Sequence, residues 1–132
     1  SVDLLPKPAA FPAFGPAPKA YRIRRLRSLN AQPAVLEEIW LDGDQAAQLS
    51  TSELSHSLYL YYRNVLKLWI TEAEDQLGLE PVPQWAPDGF EPTPGTPCLF
   101  AARLSRSQTG ETVEYSQNWI DTNVARYVAR IK

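Results

Sequence analysis

Charged side chains occur on faces of two strand-like segments that should otherwise be apolar. Side chains alternate between the two faces of a strand, so in residues 21–29 Arg25 and Arg27 share a face with apolar neighbours. In residues 34–41, Glu37 occupies the same kind of position. The apolar residues that share these two faces are Tyr21, Ile23, Leu29, Val35, Ile39 and Leu41. A charge on an inward face is costly unless it is paired or used, so the pattern indicates a pocket for a polar ligand.

The two segments are expected to form a β-hairpin. Residues 30–33, Asn-Ala-Gln-Pro, are typical of a turn. Pairing around that turn would place Glu37 across from, or diagonal to, Arg25 and Arg27. The alternative is an outer strand pair whose charged residues simply face water, and these segments alone do not decide between the two.

Other chemistry-bearing residues give weaker signals. His56 is a lone histidine beside a predicted helix start, where a solvated neighbour is the more common role. The acidic residues Glu72, Glu74 and Asp75 lack His or Cys partners at ligand spacing and are expected to form a solvated face. No Gly-rich phosphate loop, Ser/His/Asp set or zinc spacing occurs. We therefore predict no catalytic residue, no metal site and no cofactor.

The composition is that of one ordinary globular domain. The chain has 132 residues, of which 44% are hydrophobic and 21% charged, with a net charge of −2 that gives no general attraction for nucleic acid. The single cysteine, Cys98, excludes an internal disulfide, suits the cytoplasm and is expected to be a buried, inert thiol. No apolar stretch is long enough for a membrane helix. The chain has no methionine, so we expect it to be part of a longer protein.

The first half of the chain contains the predicted helices. Residues 1–19 carry five prolines and are predicted to form an extended arm or linker ahead of a domain at 20–132. Asp44 is a candidate N-cap for a short helical piece. Residues 57–66 show helical spacing of apolar residues, with Ser55 or Ser57 as the N-cap.

The second half is predicted to be mostly strand. Predicted strands cover residues 67–79, 98–106, 111–120 and 126–131, and a proline-rich loop occupies 81–97. In 111–120, Val113 is assigned to one face with Tyr115 and Trp119, and the opposite face carries Glu114, Ser116, Asn118 and Ile120. Strands and helices fall in separate runs, which predicts an α+β fold with a mostly antiparallel sheet.

An ordered set of motifs resembles one known domain. The set comprises Arg25-Leu-Arg27, Pro33, Glu37, Ser57-Leu58-Tyr59, Pro97-Cys-Leu-Phe-Ala-Ala-Arg103 and Gly110-x-x-Val-Glu114-Tyr115-Ser116. Over roughly residues 20–131 the chain resembles the UTRA domain, the effector-binding module of HutC-type GntR-family transcription regulators. The resemblance implies a chorismate-lyase-like fold, which is a six-stranded antiparallel sheet flanked by helices. It also implies a homodimer and a small-molecule pocket that controls an N-terminal winged helix-turn-helix.

The resemblance assigns effector-contacting positions to this chain. They are Arg25, Arg27, Glu37, Ser57, Leu58, Tyr59, Arg103, Glu114 and Ile120. Ser57 and Tyr59 match a helix start that holds anionic groups, and a helix N-terminus does favour anions. Glu114 matches an acidic residue for hydroxyl or amine groups, and Arg103 is either a ligand contact or a structural ion-pair partner. Ile120 departs from the tyrosine frequent in the family, which puts the ligand class in doubt.

The sequence therefore predicts the effector-binding and dimerisation domain of a cytoplasmic bacterial transcription regulator. Its expected partners are a small anionic or polar metabolite and a second copy, with DNA bound only through the N-terminal domain and no membrane involved. Two alternatives stay open: a lyase-type enzyme that shares the fold, and a degenerate domain kept for dimerisation.

Overall fold

A six-stranded antiparallel sheet dominates the described part of the chain. The computed structural model describes residues 1–49 and 57–128. The strands are β1 (Val2–Pro6), β2 (Lys19–Leu29), β3 (Gln32–Asp42), β4 (Ile70–Pro81), β5 (Pro97–Ser107) and β6 (Thr112–Ile120). Their order across the sheet is β1-β2-β3-β6-β5-β4, and every neighbouring pair is antiparallel. With one short helix beside it, the sheet has the α+β, chorismate-lyase-like fold class predicted from the sequence.

The predicted hairpin is confirmed. The chain reverses between β2 and β3 through Asn30 and Ala31, whose φ values of 52° and 65° are those of a tight two-residue turn. The register places Arg25 directly opposite Glu37, which is one of the two arrangements predicted from pairing around the turn. The inward charges therefore sit next to each other in the sheet.

The predicted helix at 57–66 is also confirmed, although it is irregular. Helix α1 (Leu58–Tyr61) continues as a π-helical turn (Tyr62–Leu66). Ser57 is its N-cap, with its hydroxyl oxygen accepting from the Leu60 amide at 3.3 Å. Asp44 does not cap a helix, because it lies inside a single 3₁₀ turn, Gly43–Gln45. Ser55 and His56 lie outside the described residues.

Each face of the sheet carries apolar clusters. The helix face, named for α1, packs residues of β2 and β3 against the helix: Tyr21, Ile23, Ile39, Leu41, Leu58, Tyr61, Tyr62, Leu68 and Val113. The opposite face, here called the loop face, is covered by the segments around Phe14 and Trp85. Cys98 is buried on that face, which agrees with the predicted inert thiol, and burial raises the pKa of its thiol.

Three local predictions were wrong or incomplete. The arm prediction for residues 1–19 missed β1, which pairs with β2 at the sheet edge, where a terminal proline is tolerated; the domain division at residue 20 stays a prediction. Residues 126–128 are not strand, and the remainder of the predicted strand 126–131 lies outside the described residues. Val113 belongs to the helix face with Glu114, because a register irregularity between β5 and β6 interrupts the alternation there.

Within the described ranges, no helix has both the length and the apolar character that crossing a membrane requires.

Candidate functional site

A cleft of about 260 Å³ opens on the helix face of the sheet. Five strands from β2 to β4 form its floor, the start of α1 forms one wall, and Tyr127 contributes from the segment after β6. All nine sequence-predicted residues line it: Arg25, Arg27, Glu37, Ser57, Leu58, Tyr59, Arg103, Glu114 and Ile120. The geometry thus brings the set together, while the role of each residue toward a ligand stays a prediction.

Two arginines share one carboxylate on the β2–β3 side of the cleft. The Arg25 Nε atom lies 2.8 Å from Glu37 Oε1, and the Arg27 Nε atom lies 4.0 Å from the same oxygen. The Arg27 side chain is 53% exposed, compared with 21% for Arg25. Arg25 is therefore held by a close ion pair, whereas Arg27 is loosely paired and reaches toward the opening.

Glu114 forms a buried anionic centre at the other side of the cleft. Its Oε2 atom accepts from the Tyr62 hydroxyl at 2.6 Å. Its Oε1 atom accepts from the hydroxyls of Ser105 at 3.0 Å and Tyr59 at 3.4 Å. Burial raises the pKa of Glu114, although the Tyr62 and Ser105 hydrogen bonds oppose that rise. Burial and the nearby Glu114 charge raise the pKa of Tyr62 well above its ordinary value, so this phenol stays a donor.

Arg103 takes part in a second ion pair, across β4 and β5. Its Nε and Nη2 atoms donate to Asp75 Oδ1 and Oδ2 at 2.6 Å and 2.9 Å. The Tyr127 hydroxyl donates to the same Oδ2 atom at 2.6 Å. The Arg103 hydrogen bonds lower the pKa of Asp75, and the bond to Asp75 raises the pKa of Tyr127. Of the two roles left open for Arg103, the ion-pair role is present in this structure.

Sequence reasoning missed several residues of the site. Asp75 was predicted to belong to a solvated acidic face, and this was wrong because its position on β4 lies directly opposite Arg103 on β5 and lines the cleft. Ser105 and Tyr62 were not identified as Glu114 partners. Asn118 also lines the cleft, and its amide donates to the Ser116 hydroxyl at 3.1 Å. The only sequence signal for Asn118 was its place on the same strand face as Glu114.

The start of α1 contributes to the cleft mainly through its side chains, because its helix dipole is small. The helix is four residues long before it changes to the π-helical turn, so its aligned peptide dipoles are few. The Tyr59 hydroxyl, predicted to hold anionic groups, instead lies 3.1 Å from the Ser105 hydroxyl and close to Glu114. The predicted anion site at this helix start is therefore weaker than the sequence indicated.

The chemistry of the cleft is that of binding polar groups. Its described lining contains three arginines and three carboxylates, whose ion pairs and hydroxyl contacts leave that lining nearly neutral but strongly polar. No group of three or more metal-ligating side chains occurs among residues 1–49 and 57–128. Loosely held Arg27 and buried Glu114 offer two different kinds of polar contact to one ligand.

Comparisons with known proteins relate the chain to one domain family. The UTRA domain family pattern matches residues 9–126. A relative from Agrobacterium fabrum, the HTH-type transcriptional regulator SmoD, is 48% identical over 131 residues, which are 99% of this chain and 56% of SmoD. The chain thus spans little more than half the length of that relative.

Solved structures share the fold at low sequence identity. One is the ligand-binding domain of a protein assigned to the GntR-family transcriptional regulators of Bordetella bronchiseptica, with a TM-score of 0.83 and 20% identity over 100% of this chain and 87% of that chain. Another is PhnF from Mycobacterium smegmatis, with a TM-score of 0.73 and 16% identity over 86% of this chain and 51% of that chain.

Proposed function

Because this chain belongs to the UTRA domain family, a domain of transcription regulators, we propose that it is the effector-binding domain of a HutC-type GntR-family regulator. The observation that carries the proposal is the convergence of all nine predicted contact residues on one open, polar cleft. These nine residues come from four of the five strands of the cleft floor and from a helix start, and some are more than 80 positions apart in sequence. A cleft of this size suits a small metabolite.

The effector is a small molecule with an anionic group and at least one hydroxyl or amine. The anionic group binds Arg27, with Arg25 behind it, because a loosely paired guanidinium at the cleft opening gives a strong charge-assisted contact. The hydroxyl or amine end donates to Glu114, whose buried carboxylate accepts hydrogen bonds. Ile120 lies level with Arg27 in the sheet and adds an apolar contact at that end of the cleft.

Effector binding acts by shifting a population between two arrangements of a dimer. A ligand favours whichever arrangement holds Arg27 and Glu114 at the right separation, and DNA-binding domains attached to the two copies move accordingly. Exposed apolar side chains, including Leu60, Val65, Leu77 and Leu79, support a self-association surface. Light scattering of the chain at about ten micromolar should give twice the monomer mass, and a monomer would contradict the dimer.

DNA binding belongs to the remainder of the protein, as the HTH name of SmoD indicates for that relative. In this chain Arg22 pairs with Asp3 and Arg24 with Glu38, so these basic residues on the loop face are partly neutralised. The net charge is −2. Salt-sensitive operator binding by residues 1–132 alone would contradict this assignment.

One observation favours the second candidate, a lyase-type enzyme. Burial raises the pKa of Glu114, and a general acid near neutral pH requires such a shift. However, three hydroxyl groups already donate to that carboxylate, and such contacts stabilise its charged form, which has no proton to give to a substrate. Turnover of chorismate-like substrates, lost in Glu114→Gln, would establish the enzyme instead.

The test of effector binding compares two arginine substitutions. Ligands that co-purify with the protein are identified by native mass spectrometry, and their affinities are measured by calorimetry for Arg27→Ala and for Arg106→Ala. Arg106 is an exposed arginine of β5 away from the cleft. Arg27→Ala should weaken binding at least tenfold, as loss of a charge-assisted contact predicts, with a nearly unchanged thermal midpoint. Equal affinities in both variants would refute the proposed site.

A further inference from the structure

The segment that follows β6 crosses one end of the cleft. This segment, residues 121–128, is here called the strap. It begins at buried Asp121, whose amide donates to the carbonyl of Ala34 in β3 at 2.9 Å. It ends near Tyr127, which reaches Asp75 on β4. Since β6 and β5 lie between β3 and β4 in the sheet, the strap passes over both of them.

The two attachments of the strap differ in kind. At its start the Asp121 carbonyl accepts from the Val124 and Ala125 amides at 3.0 Å each, and the Asp121 carboxylate accepts from the Asn123 amide. These hydrogen bonds form a turn within the strap and are local in sequence. Among the described residues, one long-range hydrogen bond ties the far end of the strap, from Tyr127 to a residue 52 positions away. Loss of that bond would free the far end alone.

The far attachment depends on an arginine that lines the cleft. Asp75 Oδ2 accepts from both Tyr127 and Arg103, so one oxygen carries two donors. Arg103 fixes the carboxylate by a bidentate contact, and β4 is an edge strand whose residues are largely exposed. Without Arg103, the Asp75 side chain would be free to turn toward water and away from Tyr127.

We propose that Asp75 is an internal counter-ion that latches the strap through Tyr127, and that an anionic group of a ligand, distinct from the group that binds Arg27, opens the latch by taking Arg103 from Asp75. The inference rests on the proposed function, because it takes the cleft to be the ligand site. The Arg103 side chain is 38% exposed, whereas that of Asp75 is 13% exposed, so the guanidinium is the partner that a ligand reaches first. Asp75 and Tyr127 are positioning residues that act through Arg103 and the strap.

Proteolysis at the strap measures how often the latch, the Tyr127–Asp75 hydrogen bond, is open. Trypsin cleaves after the exposed Arg126, immediately before Tyr127, and the cleavage rate follows the fraction of molecules in which the far end is open. The rate at the Arg126–Tyr127 bond is measured by mass spectrometry for the wild type, Tyr127→Phe and Asp75→Asn. The matched controls are Tyr115→Phe, on the loop face, and Asp3→Asn, on β1, where Asp3 pairs with Arg22 of β2.

Tyr127→Phe and Asp75→Asn each lose a hydrogen bond to a charged acceptor, so this cleavage should be about tenfold faster in both variants. The two controls keep that bond and should be cleaved at the wild-type rate. Inorganic phosphate, compared with chloride at equal ionic strength, should speed cleavage of the wild type and have no further effect on Tyr127→Phe. An unchanged rate in Tyr127→Phe would refute the latch.

The phosphate experiment separates failure of the latch from failure of the proposed site. If phosphate raises the thermal midpoint through Arg27 but leaves the cleavage rate unchanged or lower, ligand opening of the latch is refuted and the site stands. If phosphate alters neither the midpoint nor the rate while Tyr127→Phe is cleaved faster, the latch itself stands, and both its opening by an anion and anion binding in the cleft are contradicted.

Discussion

Replacing Tyr62 by Phe removes one oxygen atom from the centre of the site and leaves the ring in place. Tyr62 is fully buried among the apolar residues of the helix face, and its hydroxyl donates to Glu114 Oε2 at 2.6 Å. The described contacts of Ser105 and Tyr59 go to the other carboxylate oxygen. The substitution therefore withdraws the described donor from a buried, charged oxygen without opening a large cavity.

The expected loss follows from the kind of hydrogen bond that is removed. Hydrogen bonds to charged groups contribute about 1.5–3 kcal/mol, and this one is short and fully buried. Tyr62→Phe should thus lower the free energy of unfolding by about 2–3 kcal/mol near neutral pH. Tyr21→Phe is the matched control in the same cluster, since its hydroxyl donates to the neutral Ala46 carbonyl at 3.0 Å. That loss should be about 1 kcal/mol.

The difference should also depend on pH in a defined direction. Burial raises the folded-state pKa of Glu114 above its ordinary value of 4.5. The protonated carboxyl therefore contributes stability that is fully present below pH 4.5. It is lost as the pH rises through the raised pKa. Without the Tyr62 donor the pKa rises further, so Tyr62→Phe should lose more stability than the wild type over the same interval.

Urea denaturation followed by tryptophan fluorescence measures both effects. The pH is varied between about 4 and 8, from the ordinary carboxyl pKa upward. A loss in Tyr62→Phe that equals that of Tyr21→Phe and does not grow with pH would refute the assignment of Glu114 as a buried carboxylate held by Tyr62.

Three further predictions concern the α1 cap, the Asp75 ion pair and the close approach of Gly15 to Asp42. Ser57→Ala removes the N-cap of α1 and should lower the free energy of unfolding by about 0.5–1 kcal/mol in urea titrations, whereas no loss would contradict the cap. Asp75→Asn should make unfolding less sensitive to acid. Arg103 lowers the Asp75 pKa below 3.8, so the ion pair stabilises the fold above that value, and this stability is lost as the pH falls through the lowered pKa. An unchanged acid transition would contradict the ion pair. Gly15→Ala should lower the free energy of unfolding by about 2–4 kcal/mol, because Gly15 has φ +67° and a Cβ there meets the Asp42 carboxylate. Gly95→Ala, at φ +87° in open space, should lower it by about 1 kcal/mol. Equal losses in thermal unfolding would contradict the steric reason.

Features set by local sequence were predictable. The β2–β3 hairpin follows from alternation and from a turn beginning at Asn30, and the Ser57 cap follows from a serine just before helical spacing. The register of the hairpin then fixes the Arg25–Glu37 pair. These features depend on residues within about one hairpin of each other, which is why the sequence contains their signal.

Features set by distant partners were not predictable from the same patterns. Asp75 resembled its exposed neighbours Glu72 and Glu74, and only the pairing of β4 with β5 shows that it faces Arg103. The irregular register near Val113 depends on β5 and reverses the predicted face. Proline content hid β1, because an edge strand tolerates residues that a central strand does not.

The most direct test of the central claim is a crystal structure of the protein bound to the metabolite that native mass spectrometry identifies. We expect the ligand in the cleft on the helix face, with its anionic group hydrogen-bonded to Arg27 and a hydroxyl or amine group in contact with Glu114. A ligand bound elsewhere, for example on the loop face between Arg24 and Trp85, with the helix-face cleft empty, would contradict it.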